Sequence, residues 1–457
     1  MVETDTRYLD DIFNPRSIAL IGATNNKKKV GYDLVKNLRN YNGNLYLINI
    51  REQEIDGTKA FRSILDVEDE VDLAIISIPS HGVEDALEEC GRKGVKGVVI
   101  ISAGFSEIGN VESENRINDI SKRFGMRLIG PNSIGMTNNL TGLNATFTMN
   151  SKHGHIAFIS QSGALGAAII YKTVYEDIGF SKFISIGNMV DVDFCSLLKY
   201  LSHDKDTKSI ALYMEGLEDG KKFISVAKEC SMKKPIIALK SGRSKAGARA
   251  TSSHTGSLAG SDSIYDAAFR QAGILRADTI DDLLDSAKVF NQPMLRKNRV
   301  AILTNAGGPG ILATDECEAQ GLKIPELNDG TKASLKRILS PYASVNNPID
   351  TIAQADYNQY YSSIKILEED EDIDAILSII VVPTYAKIGM NTHAKAIVDA
   401  WSRKKPIVTC FMSGEVATSS IRYMLINKIP SYPSPERAAS ALGSLWKYSE
   451  WYNARNG

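Results

Sequence analysis

The sequence predicts an α/β protein built from doubly wound parallel sheets, with one such domain repeated in tandem. Three observations support this prediction. Short apolar runs recur along the chain, and each is followed by a stretch with helical character. Most of the runs are continuously apolar instead of alternating, which is typical of strands that helices cover on both faces of a parallel sheet. Two long segments of the chain also resemble each other.

The predicted strands extend through the whole chain. A stretch of helical character follows each of them, as the crossover between parallel strands requires. They are Ser17–Gly22, Leu45–Ile50, Leu73–Pro79, Val98–Ala103, Ile156–Ile159, Ile210–Tyr213, Ile236–Leu239, Val300–Thr304, Ala375–Val382 and Ile407–Phe411.

An internal repeat indicates the domain organisation. Residues 155–179 resemble residues 299–322, and each segment reads as a strand, a turn of small residues and a helix that ends before a glycine. Further on, KPIIALKSGRS (234–244) is similar to KPIVTCFMSGE (405–415). Two tandem domains of one fold explain the match, although α/β units also look alike because folds are reused. With polar stretches near Asn138–Lys152 and Gln292–Lys297, the repeat predicts domains at 1–148, 149–292 and 293–457.

Composition argues against several classes of protein. The 457 residues carry 53 basic and 54 acidic side chains, so the chain has no electrostatic attraction to nucleic acid or to an anionic membrane. No apolar run approaches the roughly 18 residues that span a bilayer, and the acidic amino terminus is unlike a signal peptide. Five widely spaced cysteines indicate reduced core residues, not disulfides or a metal site. We therefore expect a cytoplasmic protein.

The turn after the first strand suits a phosphate. Gly22 follows the strand and Gly31 stands at a predicted helix start, where backbone N–H groups face an anion. Their spacing is longer than in a dinucleotide-binding turn, and the second strand ends in Asn49, Ile50 and Arg51, where an NAD site has an acidic residue. Arg51 and the lysines at 27–29 suit a ligand with an additional phosphate, such as coenzyme A. A solvated loop explains the lysines equally well.

Two further turns begin the repeated helices, at Gln161–Ala164 and Asn305–Gly310. Each offers unpaired N–H groups and the positive end of a helix dipole to an anion. Glycine also permits tight packing, which would explain either turn alone. Because the two turns occupy equivalent positions in the repeat, we predict that they bind one phosphate together, through Ser162, Gly163, Ala164, Gly307, Gly308 and Gly310.

His254 stands in the most informative segment, residues 239–269. Gly, Ser, Ala, Arg and Lys follow one another there for about twenty residues, and long loops of this kind are usually functional or disordered. The segment offers the histidine neither a core nor a second metal ligand. We predict a mobile loop whose His254 is a covalent nucleophile toward a phosphoryl group, followed by a helix at Ser261–Ala272. The other five histidines, on turns or surface-like segments, receive no role.

These motifs resemble those of the succinyl-CoA synthetase superfamily and, within it, the nucleoside-diphosphate-forming acetyl-CoA synthetases of archaea. SSHTGSLAG (252–260) is similar to the family's phosphohistidine loop, and GATNNKKKVG (22–31) to its CoA phosphate turn. GPNSIG (130–135) and ISIP (76–79) resemble its segments beside the CoA thiol and the adenine. The resemblance covers almost the whole chain. It implies a Rossmann-like CoA-binding domain followed by two tandem flavodoxin-like domains.

The resemblance also assigns roles to individual residues. It makes His254 the phosphohistidine, held between the amino termini of the two repeated helices. In the family a glutamate binds the second nitrogen of the imidazole, which fixes the tautomer and raises the nucleophilicity of the other nitrogen. Glu215 matches that glutamate best by position, and Glu218 is the alternative. The implied CoA-binding residues are Gly22, Thr24, Lys29, Gly31, Asn49, Arg51, Ile78, Pro79, Asn132 and Ser133.

The implied activity is that of an acid–thiol ligase of the ADP-forming acetate–CoA ligase type. Acyl-CoA, a nucleoside diphosphate and phosphate would give the acid, CoA and the nucleoside triphosphate. The family completes this reaction with an ATP-grasp domain that uses Mg²⁺ and ADP/ATP or GDP/GTP, and no segment after Asn298 resembles one. We therefore expect a separate ATP-grasp beta subunit, an α2β2 assembly, and no metal site on this chain.

Two other classes of protein fit parts of the sequence. A CoA-binding regulatory module, of the kind fused to protein acetyltransferases, would share the first domain, but such modules often lack an intact histidine segment. An NAD-dependent oxidoreductase would share the first strand and turn, but the long glycine spacing and Arg51 argue against it.

Overall fold

The computed structural model describes residues 4–255, 261–382, 391–412 and 414–456, without the side chains of residues 251–255. The chain divides into two compact units, Met1–Arg276 and Ala277–Gly457. Three sheets form their framework, and most strand pairs in them are parallel. The predicted α/β class is confirmed.

The first sheet has the strand order of a Rossmann fold. Its strands are β1 (Ser17–Ile21), β2 (Asn44–Ile48), β3 (Glu54–Ile55), β4 (Thr58–Phe61), β5 (Leu73–Ile76), β6 (Gly97–Ile100) and β7 (Arg127–Ile129), in the order β3-β4-β2-β1-β5-β6-β7. Helices α1 (Leu9–Phe13), α2 (Val30–Leu38), α3 (Val83–Lys93) and α4 (Val111–Phe124) pack on it. The order reverses between β1 and β5, the point at which doubly wound sheets bind ligands.

The second sheet follows in the same unit, with the strand order β14-β13-β12-β10-β11-β8-β9. Its strands are β8 (Gly135–Asn138), β9 (Leu143–Thr146), β10 (Lys152–Ser160), β11 (Gly179–Ser185), β12 (Ser209–Met214), β13 (Ile236–Lys240) and β14 (Ile274–Ala277). The helices are α5 (Gly163–Tyr175), α6 (Phe194–Leu201), α7 (Gly220–Ser231), α8 (Lys245–Thr255) and α9 (Asp262–Ala272). The hairpin β8–β9 pairs with β11, so residues 135–146, predicted to lie in the first domain, belong to this sheet.

The sheet of the second unit has the order β16-β15-β17-β18-β19. Its strands are β15 (Val300–Thr304), β16 (Ile349–Asp350), β17 (Ala375–Ile380), β18 (Ile407–Phe411) and β19 (Ser431–Tyr432). Its helices are α10 (Ile280–Val289), α11 (Gly307–Ala319), α12 (Asp329–Ile338), α13 (Tyr357–Glu369), α14 (Thr392–Ala400), α15 (Thr418–Ile426) and α16 (Pro435–Asn456). Because α10 packs on α16, this unit begins before the predicted boundary at residue 293.

The tandem repeat is visible in the strand order. Strands β11-β10-β12-β13-β14 of the second sheet and β16-β15-β17-β18-β19 of the third follow the flavodoxin-like order 2-1-3-4-5. Apolar residues fill both faces of the central strands, and β1, β5, β13, β15 and β17 are buried along their whole length. All five cysteines are buried free thiols, as predicted, and burial raises the pKa of Cys230 to about 11.

Candidate functional site

The two glycines of the first turn pack against backbone. Gly22 has a φ of 98°, and a Cβ at this position would overlap the carbonyl oxygen of Ser77. A Cβ on Gly31 would overlap the carbonyl oxygen of Gly22. The fold of the turn itself therefore requires both glycines. Helix α2 follows with Lys29 at its N-cap. No side chain caps this terminus, although the Tyr32 N–H donates to the Lys29 carbonyl at 3.0 Å, so the terminus is suited to an anion.

Glu52 is a residue of this turn that was not predicted from the sequence. Its carboxylate accepts hydrogen bonds from Thr24 Oγ1 at 2.5 Å and from the Asn25 N–H at 3.0 Å. These bonds, the Thr24 bond most strongly, lower the pKa of Glu52 against the effect of burial. Asn49 Nδ2 donates to the backbone of the same turn at 2.7 Å, and Arg51 is exposed beside it. An acidic residue, Glu52, therefore does follow β2, but its carboxylate stabilises the turn by these hydrogen bonds.

Three loops meet beside the first turn, at the carboxyl edge of the first sheet. Ser102 Oγ donates to the Ile78 carbonyl at 2.6 Å, and the Asn132 N–H donates to the Ser102 carbonyl at 2.9 Å. Ile78 Cγ2 lies 2.9 Å from where a Cβ on Gly22 would stand. Pro79 is exposed next to Ile78. The structure therefore places the predicted residues Ile78 and Asn132 beside the first turn, joined through Ser102, which was not predicted.

Asn132 and Ser133 connect these loops to the second sheet. Ser133 is buried, and its hydroxyl donates to the Ser185 carbonyl at 2.6 Å, so this hydroxyl already has a partner in the fold. Asn132 Nδ2 donates to Asn188 Oδ1 at 3.2 Å, and Asn188 Nδ2 donates to Glu107 Oε2 at 2.7 Å. Asn188 and Glu107 belong to no motif, so the sequence carried no signal that would have identified them.

The first turn of α5 lies beside Asn132's loop. Ser162 is its N-cap, and Ser162 Oγ accepts a hydrogen bond from the Leu165 N–H at 3.3 Å. A Cβ on Gly163 would lie 2.9 Å from Ile134 Cγ2, so packing alone favours glycine here. Ala164 is exposed. Contacts thus continue from the first turn, through the loop at 130–135, to the α5 terminus.

Glu215 adjoins the α5 terminus from the end of β12. Gln161 Oε1 accepts hydrogen bonds from the N–H groups of Glu215 and Gly216, at 2.5 and 3.1 Å. Glu215 is 6% exposed, whereas Glu218 is exposed in the loop that leads to α7. Of the two glutamates left open by the sequence, Glu215 has the position next to the predicted phosphate turn.

The histidine segment contains a helix that was not predicted. Helix α8 spans Lys245–Thr255 and includes His254 in its last turn, so the prediction of a continuous loop is wrong for these residues. The cause is the alternating alanines of the segment, which favour a helix, and Ser244, whose Oγ accepts from the Gly247 N–H at 3.0 Å. The His254 side chain and residues 256–260 lie outside the described residues, so the predicted contacts of this histidine stay predictions.

The equivalent turn of the second unit begins α11. Gly307 and Gly308 are exposed, α11 has no side-chain cap, and a Cβ on Gly308 would meet no atom within 4 Å. Asp350 Oδ2 lies 3.3 Å from where a Cβ on Gly307 would stand, so a carboxylate already faces this helix terminus. Gly310 is buried, and a Cβ there would lie 3.2 Å from Thr304 Cγ2, so it serves packing.

The remaining histidines include one buried residue. His393 is 2% exposed on α14, and its Nε2 lies 3.0 Å from the Ala355 carbonyl oxygen, so the prediction of a surface-like position is wrong for it. No group of three or more His, Cys, Asp or Glu in the described residues could hold a metal ion. None of the helices formed by those residues is long and apolar enough to cross a membrane.

Family models match the chain in three successive stretches. A CoA binding domain matches residues 16–139, a succinyl-CoA ligase like flavodoxin domain matches residues 153–290, and a ligase-CoA domain matches residues 300–455. The three stretches follow the three sheets in order, except that the first stretch includes β8 of the second sheet and that β9 lies between the first two stretches.

Similar proteins align along almost the whole chain. It is 50% identical to acetate–CoA ligase (ADP-forming) II subunit alpha of Pyrococcus furiosus. The alignment extends over 443 residues and covers 96% of this chain and 97% of the Pyrococcus chain. The chain is 46% identical to the acetate–CoA ligase (ADP-forming) of Methanocaldococcus jannaschii, over 95% of this chain and 62% of that one. A structure of the dinucleotide forming acetyl-coenzyme A synthetase 1 of Ca. Korarchaeum cryptofilum with phosphate and ADP is 37% identical, with a TM-score of 0.92 over 98% of this chain and 99% of that one.

Proposed function

The chain belongs to the family of alpha subunits of ADP-forming acetate–CoA ligases, and on that premise we propose that it is the CoA-binding, phosphohistidine-carrying subunit of an NDP-forming acyl-CoA synthetase. One observation carries the proposal. The predicted CoA-binding loops, the α5 terminus and Glu215 are joined by continuous contacts within one unit. We propose acetyl-CoA as its substrate and ADP as the nucleotide.

The proposed reaction passes a phosphoryl group through His254. A phosphate oxygen attacks the thioester carbonyl of acyl-CoA, the C–S bond breaks, and CoA leaves as the thiolate. A ring nitrogen of His254 attacks the phosphorus of the acyl phosphate, the P–O bond breaks, and the carboxylate leaves. An oxygen of ADP then attacks the phosphohistidine, and the P–N bond breaks to give ATP. Such transfers depend mainly on positioning and charge stabilisation.

Residues of this chain supply the positioning in the proposal. The open terminus of α2, the exposed lysines at 27–29 and Arg51 bind the phosphates of CoA. Asn132 lies at the loop that resembles the segment beside the thiol. Glu215 orients the imidazole of His254 by accepting a hydrogen bond from one ring nitrogen, which leaves the other free to attack phosphorus.

A partner subunit supplies the nucleotide site in the proposal. We propose an ATP-grasp beta subunit that holds ADP and Mg²⁺, in an α2β2 assembly whose stoichiometry analytical ultracentrifugation would measure. Two features support a partner. The chain covers 97% of a relative that is named as an alpha subunit, and it covers 62% of the longer Methanocaldococcus jannaschii relative.

Reconstitution tests the proposed function. The chain and an ATP-grasp beta subunit are mixed with acetyl-CoA, ADP, phosphate and Mg²⁺, and ATP formation is followed. We expect ATP only when both subunits are present, and we expect His254→Ala to abolish it while calorimetry still shows CoA binding. Turnover of His254→Ala near the wild-type rate would refute the role of this histidine. CoA binding without turnover in the wild-type pair would favour a regulatory module.

A further inference from the structure

Asn188 joins the loop that contains Asn132 to two carboxylates. Its Nδ2 donates to Glu107 Oε2 and to Glu114 Oε2, both at 2.7 Å, and Ser106 Oγ lies 3.1 Å from the same nitrogen. Its Oδ1 accepts a hydrogen bond from Asn132 Nδ2 at 3.2 Å. All of these side chains are half-buried. The steps of the proposed reaction give this hydrogen-bonded chain no role.

The two carboxylates determine which way the Asn188 amide points. An ionised carboxylate only accepts hydrogen bonds, so the NH₂ group of Asn188 must face Glu107 and Glu114. Burial raises the pKa of Glu107, but hydrogen bonds from Asn188 and the backbone outweigh that effect, so this carboxylate is ionised at neutral pH. The carbonyl oxygen of Asn188 therefore faces Asn132, and the atom of Asn132 that meets it is the donor Nδ2.

Backbone hydrogen bonds already hold the loop of Asn132 in place. The Asn132 N–H donates to the Ser102 carbonyl and the Asn188 N–H donates to the Pro131 carbonyl, both at 2.9 Å. The bond between the two side chains is therefore left to orient the Asn132 carboxamide. It uses one of the two N–H groups of that amide, and within the described parts of the chain the amide makes no other hydrogen bond.

We propose that Asn188 is a positioning residue that holds the Asn132 carboxamide with its second N–H facing the thioester carbonyl of acyl-CoA. The inference deepens the proposed function and rests on it, because the resemblance puts the loop of Asn132 beside the CoA thiol. As a phosphate oxygen bonds to the thioester carbon, the C=O electron pair moves to oxygen, and this oxyanion accepts a hydrogen bond from Asn132 Nδ2. The pair then returns, the C–S bond breaks, and CoA leaves as the thiolate. A donor that is oriented in advance stabilises such an oxyanion without reorganising during the reaction.

The test separates the thioester step from the phosphorylation of His254. The full chain, assembled with its ATP-grasp partner, receives acetyl phosphate and CoA, and acetyl-CoA formation is followed. Labelling by γ-labelled ATP and Mg²⁺ is measured in parallel. Because the Asn132 amide can rotate in Asn188→Ala, we expect kcat for acetyl-CoA to fall about tenfold, the upper end for one neutral hydrogen bond. The label from ATP and the KM for CoA should not change, since neither depends on the oxyanion.

Three further variants sharpen the test. Asn132→Gly permits the left-handed backbone of this residue, whose φ is 56°, and removes the amide, so we expect kcat to fall about a hundredfold. Asn188→Ser can still donate to a carboxylate but is too short to reach Asn132. It should show the same loss as Asn188→Ala, and it replaces that variant if calorimetry shows no CoA binding.

Asn139→Ala is the matched control. Asn139 is also half-buried, and its Nδ2 donates to the Phe180 carbonyl at 2.9 Å, near the start of β11, whereas Asn188 follows the end of that strand. We expect Asn139→Ala to keep the wild-type kcat for acetyl-CoA formation.

The possible outcomes separate the inference from the proposed function. A wild-type kcat in Asn188→Ala, an equal loss in Asn139→Ala, or an equal loss of the label from ATP overturns the inference. So does a further loss when Asn188→Ala is added to Asn132→Gly, because Asn188 is inferred to act through Asn132. A wild-type assembly that forms no acetyl-CoA from acetyl phosphate would instead refute the proposed function.

Discussion

Glu52 and Arg51 have different roles at the first turn, although they are neighbours in the sequence. The carboxylate of Glu52 is occupied by Thr24 and Asn25, so it is not offered to the ribose hydroxyls of a dinucleotide. The Arg51 side chain is exposed, and its backbone N–H donates to Asn49 Oδ1 at 2.8 Å. An exposed guanidinium near an open helix terminus suits the additional phosphate of CoA better than it suits NAD.

We predict that the chain binds CoA more tightly than 3′-dephospho-CoA and does not bind NAD. Arg51→Ala should weaken CoA binding about tenfold or more, because a hydrogen bond to a charged group contributes about 1.5–3 kcal/mol. It should leave 3′-dephospho-CoA binding unchanged. Arg92→Ala, in the last turn of α3, is the control that should change neither affinity. Calorimetric titration measures the affinity of the wild type and of both variants for each ligand, and NAD binding without CoA binding would reverse the assignment.

A second residue-scale prediction concerns Asn188, whose Nδ2 donates to Glu107 Oε2 and Glu114 Oε2, both at 2.7 Å. Burial raises the pKa of Glu107, but hydrogen bonds from Asn188 and the backbone lower this pKa by a larger amount. The net shift of the Glu107 pKa is therefore downward. The resulting stabilisation is present above the unfolded-state pKa of glutamate, about 4.3, and is lost as the pH falls through the lower folded-state value.

Asn188→Asp places a third carboxylate against these two. We expect the free energy of unfolding to fall by about 1–3 kcal/mol at neutral pH, because donors are lost and like charges meet. The difference from the wild type should shrink toward pH 4, where carboxylates become protonated. Urea denaturation at several pH values measures this, with Asn188→Ala as the control that adds no charge. A deficit for Asn188→Asp that does not depend on pH would contradict the prediction.

At the scale of elements, strands that read as apolar runs could be predicted from the sequence, whereas β11, which contains a buried charged residue, was missed. Every predicted strand is present, at most with its ends displaced. Strand β11 was not predicted because it contains Lys182, which is 2% exposed and pairs with Asp204 at 2.8 Å. A charged residue that is buried in an ion pair interrupts the apolar run by which a buried strand is identified in the sequence. Helix α9 lies where it was predicted, at Asp262–Ala272 with Ser261 as N-cap.

The candidate site could be predicted only where its residues form a motif that is contiguous in the sequence. The turns at Gly22, Ser162 and Gly307 were found because each follows a strand and precedes a helix. Their partners Glu52 and Asp350 come from other strands, and no sequence spacing links them to the turns. Folding alone brings such residues together.

An element-scale prediction follows for the terminus of α11. Gly308→Ala adds a methyl group in open space, so the fold should be retained, and helix propensity should rise by about 1 kcal/mol. If the terminus binds the phosphohistidine, the methyl group blocks close approach to the backbone. The amount of phosphoenzyme should then fall by about tenfold, given that a helix terminus contributes up to about 2 kcal/mol to an anion.

Gly330→Ala is the matched control, because Gly330 is the second residue of α12 as Gly308 is of α11. It should leave the phosphoenzyme unchanged, and thermal unfolding should show that both variants fold. Wild-type levels of phosphoenzyme in Gly308→Ala would mean that this glycine does not face the phosphoryl group.

At the scale of the whole molecule, the proposal divides the chemistry between a CoA end and a nucleotide end. The first unit contains the predicted CoA loops and Glu215, the second contains the α11 terminus, and the nucleotide site is assigned to a partner. In the proposal, His254 carries the phosphoryl group between the CoA site and the nucleotide site. The central claim is therefore that a phosphoryl group rests covalently on this histidine between the two half-reactions.

Phosphoenzyme trapping tests that claim most directly. The chain, its ATP-grasp partner and Mg²⁺ are incubated with γ-labelled ATP, and the label on the chain is examined for stability and position. We predict a label that is labile in acid and stable in alkali, maps to the peptide containing His254, is absent from His254→Ala, and is discharged by acetate and CoA together. An acid-stable label, or an equal label on His254→Ala, would contradict the account.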